Sequence, residues 1–140
     1  MTSLPNDAVN GSCERAAAIR SAMATIARFC SGQRVEMRDE KVAQAQLESL
    51  LQASGFEFKR EHRLSAKDIP DFLITQDGFS IIVEMKTRAQ RMKIYRQLER
   101  YAQHPTVDGI ILLSGTAMVI PELIGDKPAL YASMGRAWLR

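Results

Sequence analysis

The dipeptide Asp77-Gly78 separates two runs of apolar residues, and it constrains the fold more than any other feature of the sequence. Asp-Gly between such runs favours a two-residue hairpin turn, because a turn of this kind needs a positive φ that these residues tolerate. We therefore predict two antiparallel strands over residues 69–75 and 79–86. In that hairpin Asp71 lies directly opposite Glu84.

The predicted hairpin collects two acids and an amine on one face of the sheet. Side chains alternate along a strand, so Glu84 and Lys86 project together while Met85 points to the opposite face. Directly opposed side chains have Cβ atoms roughly 4.5 to 5.5 Å apart, and like charges there repel unless something neutralises them. Carboxylate oxygens suit Mg²⁺ or Mn²⁺, which can also bind phosphate oxygens.

An ordinary solvated hairpin, in which Lys86 pairs with one of the acids, would use the same residues. Leu73 and Ile82 share the face of Asp71 and Glu84, and both are apolar. We therefore expect the two acids at the end of a buried surface. Because buried acids need a partner, this placement favours the metal site over the solvated hairpin.

The remaining sequence predicts a sheet flanked by helices. Apolar residues at helical spacing indicate helices at 13–30, 39–53 and 89–103. Residues 56–64 are typical of an exposed or edge strand, and the apolar run 107–113 of a strand covered on both faces. We expect a turn or short helix at 121–124, a loop at 125–128 and one or two strands at 129–139. This order predicts an α/β (α+β) domain with one central mixed β-sheet flanked by helices.

The length of 140 residues and the 46% hydrophobic content predict a single domain. We assign 1–12 to a flexible tail and 13–140 to the domain, in which 39–113 is the core and 13–34 an additional helical region. That region either covers the sheet or forms the surface of a homodimer. The sequence shows no membrane span and no signal peptide, so we predict a cytoplasmic protein. Cys13 and Cys30 are too far apart on one helix to form a disulfide.

A third acid for the metal site is expected on the second helix. Glu40 falls on the same helical stripe as Ala43, Leu47 and Leu51, so it points inward. The alternative is that Glu40 stays in water and only stabilises the helix dipole. Weaker candidates for the third acid are Glu36 and Glu48.

The third helix carries a polar pair beside a basic surface. Gln97 and Tyr101 share an inward stripe with Ile94 and Leu98. Between residues 86 and 100 there are six basic residues and one acid, Glu99, which suits a polyanion. Ordinary explanations exist for both: a core tyrosine with its hydroxyl at the rim, and a solvated helix face.

Together these residues resemble the PD-(D/E)XK nuclease superfamily, whose members have restriction-endonuclease-like domains. Pro70-Asp71 followed by Glu84-Met85-Lys86 matches its central motif, an acid on one strand and Glu-x-Lys on the next. Gln97-x-x-x-Tyr101 resembles the additional helix motif of the RecB-like branch. The resemblance covers residues 40–113, and Lys127-Pro128 with Ala137-Trp138-Leu139 is similar to small phage-encoded members.

The resemblance implies a role for each matching position. Metal binding falls to Asp71, Glu84, the Met85 carbonyl and Glu40, and catalysis to Lys86. Gln97 and Tyr101 would orient the DNA or the active-site groups.

The expected activity is hydrolysis of DNA phosphodiester bonds that depends on Mg²⁺ or Mn²⁺. Lys86 would stabilise developing charge. The DNA backbone would be held by Arg88, Arg91, Lys93, Arg96 and Arg100. The rival hypotheses are a catalytically silent nucleic-acid-binding protein on a nuclease fold, and a structural protein whose charged hairpin is incidental.

Overall fold

The computed structural model describes residues 4–36, 38–88 and 90–134, with side chains from residue 11 onward. Three helices and six strands follow one another as α1 (Leu4–Ser31), α2 (Glu40–Ala53), β1 (Glu57–Arg60), β2 (Phe72–Gln76), β3 (Phe79–Lys86), α3 (Arg91–Ala102), β4 (Gly109–Ser114), β5 (Leu123–Ile124) and β6 (Lys127–Ser133). The strands form one sheet in the order β1-β2-β3-β4-β6-β5.

The sheet is mixed, as the sequence predicts. β1, β2 and β3 pair antiparallel, whereas β4 pairs parallel with both β3 and β6. β1 lies at an edge, and all six residues of β4 are buried. The predicted α+β architecture, the edge strand and the strand covered on both faces are therefore confirmed.

Helices cover both faces of the sheet and give it two hydrophobic cores. Ile81, Val83 and Met85 of β3 face α1 and α2, whose buried residues include Met23 and Leu47. The opposite face packs against α3 through Ile82, Ile110, Leu112, Leu98 and Tyr101. Glu84 and Lys86 have the same strand parity as Ile82, so they point toward the side covered by α3.

The hairpin between β2 and β3 has the predicted turn and register. Asp77 and Gly78 both have positive φ, 54° and 82°, as a two-residue turn of this type requires. Phe72 pairs with Val83 and Gln76 with Phe79. The strand β2 begins at Phe72, three positions after the predicted start, so Asp71 directly precedes it. The register nevertheless brings Asp71 opposite Glu84.

The first helix covers the sheet, which is one of the two roles predicted for it. Its residues Ile19, Met23 and Ile26 are buried in the core between the helix and the sheet. The helix begins at Leu4, so the flexible tail predicted for residues 1–12 is helical from that residue onward. A proline in the first helical turn, here Pro5, removes only an N–H that has no intrahelical partner. Cys13 and Cys30 are free thiols, as predicted.

The end of the chain differs from the expectation. Residues 123–124, predicted as a turn or short helix, form β5, and Lys127 and Pro128, predicted as loop, belong to β6. A tight turn at Gly125, whose φ is 61°, lets Ile124 pair with Lys127. The prediction for 135–140, including Ala137-Trp138-Leu139, lies outside the described residues.

None of the helices in the described part of the chain combines the length and the apolar character needed to cross a membrane.

Candidate active site

Asp71 and Glu84 form the centre of the site, at the point where β2 begins and β3 nears its end. The Met85 N–H donates to Asp71 Oδ2 at 2.8 Å, and the Asp71 N–H donates to Glu84 Oε1 at 3.3 Å. Glu84 is only 2% exposed. The two acids are therefore neighbours in a buried setting, as the hairpin register predicts.

Burial makes it costly for both acids to be ionised together. Burial raises the pKa of Asp71, although the Met85 N–H opposes the shift. Burial and the negative charge of Asp71 raise the pKa of Glu84 to about 8, against the opposing effect of Lys86. Two carboxyl groups held in this way retain a proton near neutral pH unless a cation replaces it.

A chain of hydrogen bonds joins Gln97 and Tyr101 of α3 to Glu84. Gln97 Nε2 donates to Tyr101 Oη at 2.9 Å, and the Tyr101 hydroxyl donates to Glu84 Oε1 at 3.0 Å. Tyr101 is 1% exposed, and burial with the charge of Glu84 raises its pKa. The tyrosine therefore acts as a hydrogen-bond donor that fixes one oxygen of Glu84. Tyr101 thus contacts Glu84 directly, and Gln97 reaches it only through Tyr101.

Lys86 lies at the open side of the pair. Its Nζ is 3.5 Å from Glu84 Oε2, and its side chain is 25% exposed. The amine thus neutralises part of the charge of the acids and still reaches the cleft beside them.

Glu40 is the third acid at this place. It is the first residue of α2, after the helix cap Asp39, whose side chain accepts from the Lys41 and Val42 N–H groups. Glu40 Oε1 is buried without a hydrogen-bond partner. Burial raises the pKa of Glu40. The positive charge of Lys86 lowers this pKa and the negative charge of Asp71 raises it, so both charges act on Glu40.

The two weaker candidates for the third acid have other partners. Glu48 Oε2 accepts from Arg60 at 2.7 Å, and Glu36 Oε1 accepts from the Arg38 N–H at 3.0 Å. Glu40 is therefore the acid of the three that lines the cleft beside Lys86 and whose pKa the charge of Asp71 affects.

A cleft of about 340 Å³ opens beside these groups, and most of the residues that line it are polar or charged. The predicted site residues that line it are Glu40, Lys86, Arg88, Lys93, Gln97 and Arg100. Arg91 and Arg96 are exposed on α3 but do not belong to the lining. The predicted basic residues thus divide into a group within the cleft and a group outside it.

A buried acid that the sequence analysis missed fixes Arg100. Asp68 is 7% exposed and accepts from Arg100 Nε at 3.0 Å, and it lies 2.8 Å from His104 Nε2. The hydrogen bond with His104, together with Arg100, lowers the pKa of Asp68. Arg100 is therefore held in an ion pair at the cleft, a contact that the sequence analysis did not predict, and its role in DNA binding stays a prediction. Asp68 lies in a loop, where no periodic pattern indicates which residues point inward.

The donor set suits a hard divalent cation. Asp71, Glu84, Glu40 and the Met85 carbonyl offer oxygen atoms of the kind that such a cation binds, and Glu40 Oε1 has no hydrogen-bond partner among the described residues. Within residues 4–36, 38–88 and 90–134, no three His, Cys, Asp or Glu side chains are clustered closely enough to hold a metal ion between them. A Mg²⁺ site is commonly built from one or two carboxylates and several waters, so the Asp71 and Glu84 pair fits that requirement.

Comparison of the chain with protein-family models and with curated proteins gave no match.

Proposed function

We propose that the protein is a Mg²⁺- or Mn²⁺-dependent deoxyribonuclease of the PD-(D/E)XK class. The observation that carries the proposal is the neighbouring pair of Asp71 and the buried Glu84. Tyr101 joins this pair to Gln97, and Lys86 lies between Glu84 and a cleft with basic side chains. A solvated hairpin with an incidental charge pattern would not bury an acid to 2% exposure.

In this proposal Asp71, Glu84 and the Met85 carbonyl hold the cation. Glu40 would join them only by moving its side chain toward the pair, since the described residues contain no cluster of three acids that could hold one ion. When bound, such a cation supplies activation of water and stabilisation of phosphate charge. Tyr101 holds Glu84 Oε1 in place, and the other oxygen, Oε2, lies 3.5 Å from Lys86 Nζ.

Lys86 supplies a positive charge where negative charge develops on the phosphate. Its ammonium is held beside Glu84 before substrate arrives, so little reorganisation is needed during the reaction. A residue in this role contributes to cleavage more than to binding.

The DNA backbone is proposed to enter the cleft along α3. Arg88 and Lys93 line the cleft, and Arg91 and Arg96 extend the positive surface outside it. Contacts of this kind bind phosphates without reading the base sequence.

The proposal is tested by incubating the protein with labelled linear, circular and branched DNA in Mg²⁺, Mn²⁺ or EDTA. We expect metal-dependent cleavage by the wild type, and its loss in Lys86→Ala with DNA binding retained. Lys59→Ala, at an exposed position of β1, is the matched control and should cleave normally. Cleavage that persists in EDTA, or in Lys86→Ala, would contradict the proposed mechanism.

The rival proposal is a nucleic-acid-binding protein that retains this cleft without turnover. The observation in its favour is that Glu84 Oε1 and Asp71 Oδ2 are already occupied by protein hydrogen bonds. Tight DNA binding with no cleavage in either metal would support it. A cytoplasmic location and a homodimer remain predictions, and size-exclusion chromatography with light scattering would test the dimer.

A further inference from the structure

Arg60, the last residue of β1, joins the second helix to the sheet. Its Nη1 donates to Glu48 Oε2 at 2.7 Å, and its Nη2 donates to Gln44 Oε1 at 3.1 Å. Its Cζ lies 5.0 Å from the centroid of the Phe72 ring. One guanidinium thus bonds two side chains of α2 and stacks on a residue of β2.

The two helix residues that Arg60 binds continue the stripe that begins with Glu40. Glu40, Gln44 and Glu48 are spaced four residues apart and therefore follow one another along one side of α2. Gln44 is buried, and the Arg60 side chain is 23% exposed. The contact with Gln44 is therefore shielded from water, whereas Glu48 lies at the surface. Together the two contacts tie the helix to β1.

Arg60 is also tied to the strand that follows Asp71. It pairs with Phe72 in the register of β1 and β2, and the N–H of the next residue, Glu61, donates to the Asp71 carbonyl at 3.0 Å. The same short segment therefore contacts the strand beside Asp71 and the helix that carries Glu40.

We propose that Arg60 is a positioning residue that fixes where Glu40 lies relative to Asp71. By fixing that position, Arg60 sets the affinity of the site for the cation. The inference rests on the proposed function and adds a residue that does not touch the cation. Arginine suits this role because its planar fork bonds two acceptors at once and its face stacks on an aromatic ring, which lysine cannot reproduce.

The test is a double-mutant cycle on Mn²⁺ binding, measured by isothermal titration calorimetry on the full chain. The four proteins are the wild type, Arg60→Met, Glu40→Gln and the double variant. Arg60→Met keeps an apolar stem near Phe72 and removes the fork. Groups that orient metal ligands typically change metal affinity about 10- to 100-fold, so we expect at least about tenfold weaker binding in the Glu40 background. In the Glu40→Gln background we expect less than about a twofold change, because the effect passes through Glu40.

A second variant keeps the test independent of the folding of Arg60→Met. Glu48→Ala removes the clamp from the helix side, at a side chain that is 43% exposed, and should weaken Mn²⁺ binding through Glu40 in the same way. Glu57→Ala, at an exposed position of β1 away from Arg60, is the control and should bind normally.

Equal losses in both backgrounds, or unchanged binding in both Arg60→Met and Glu48→Ala, would overturn the positioning role. Absence of Mn²⁺ binding by the wild type would instead overturn the proposed function and the inference with it. DNA cleavage is not needed for either result.

Discussion

The raised pKa of Glu84 predicts that the metal-free protein loses stability as pH rises from 5 to 8. Its pKa is about 8 in the folded chain and 4.5 ordinarily. Between these values the folded state holds a proton that the unfolded state has released, so the stability present at low pH is lost as pH rises through the folded pKa. The slope approaches about 1.4 kcal/mol per pH unit, which gives a loss of about 3 kcal/mol over this range.

The substitution Glu84→Gln isolates this effect, because glutamine cannot ionise and still offers an acceptor for the Tyr101 hydroxyl. Urea unfolding in EDTA is measured at pH 5, 6, 7 and 8 for both proteins. The variant keeps both histidines, so the difference between the two curves reports Glu84 and its coupling to Asp71.

We expect the difference in unfolding free energy to change steadily with pH in favour of the variant. Added Mg²⁺ should stabilise the wild type more at pH 8 than at pH 6, because the cation and the proton compete for the same acids. A wild-type curve parallel to that of Glu84→Gln would refute the reasoning.

Three further substitutions test separate parts of the account. Tyr101→Phe leaves Gln97 Nε2 and Glu84 Oε1 without a shared partner and should lower the free energy of unfolding by about 1–3 kcal/mol in urea unfolding. Tyr95→Phe on the same helix is the control. Equal losses of stability in the two variants would contradict the hydrogen-bond chain. Arg96→Ala should weaken DNA binding and reduce its salt slope by about one, measured by fluorescence anisotropy at several salt concentrations; an unchanged slope would exclude a phosphate contact. Gly109→Ala places a Cβ 2.7 Å from Met23 Sδ and should cost about 1–3 kcal/mol in urea unfolding. A neutral result there would show that the core beneath α1 is looser than described.

The parts of the site that could be predicted from sequence depend on local chemistry. The Asp77-Gly78 turn fixes the hairpin register, and the register brings Asp71 opposite Glu84. Helical spacing alone places Gln97 and Tyr101 on the inward side of α3. These inferences need only the turn rules and the periods of strands and helices.

The parts that could not be predicted depend on contacts between distant segments. Asp68 and Arg100 are 32 positions apart, and Arg60 meets Gln44 from a neighbouring strand. Neither contact leaves a periodic pattern, because Asp68 is in a loop and a four-residue edge strand is too short to show which side faces a helix. From the sequence alone, Asp68, Arg100 and Arg60 are therefore interpreted as charged surface residues.

The boundaries that were wrong also have physical causes. The Pro, Asn and Gly residues before Cys13 are typical of a loose segment, yet α1 includes them from Leu4 onward. Near the other end, β5 has two residues, too few for alternation to identify a strand. In both places composition was a weaker guide than the structure formed around the segment.

The most direct test of the central claim is a crystal structure of the protein with Mn²⁺ at about pH 8, phased to give an anomalous difference map. We expect a peak within about 2.0–2.3 Å of carboxylate oxygens from both Asp71 and Glu84, the range expected for a small divalent cation. A fully occupied peak elsewhere, or a map that is empty between these two acids in saturating Mn²⁺, would contradict it.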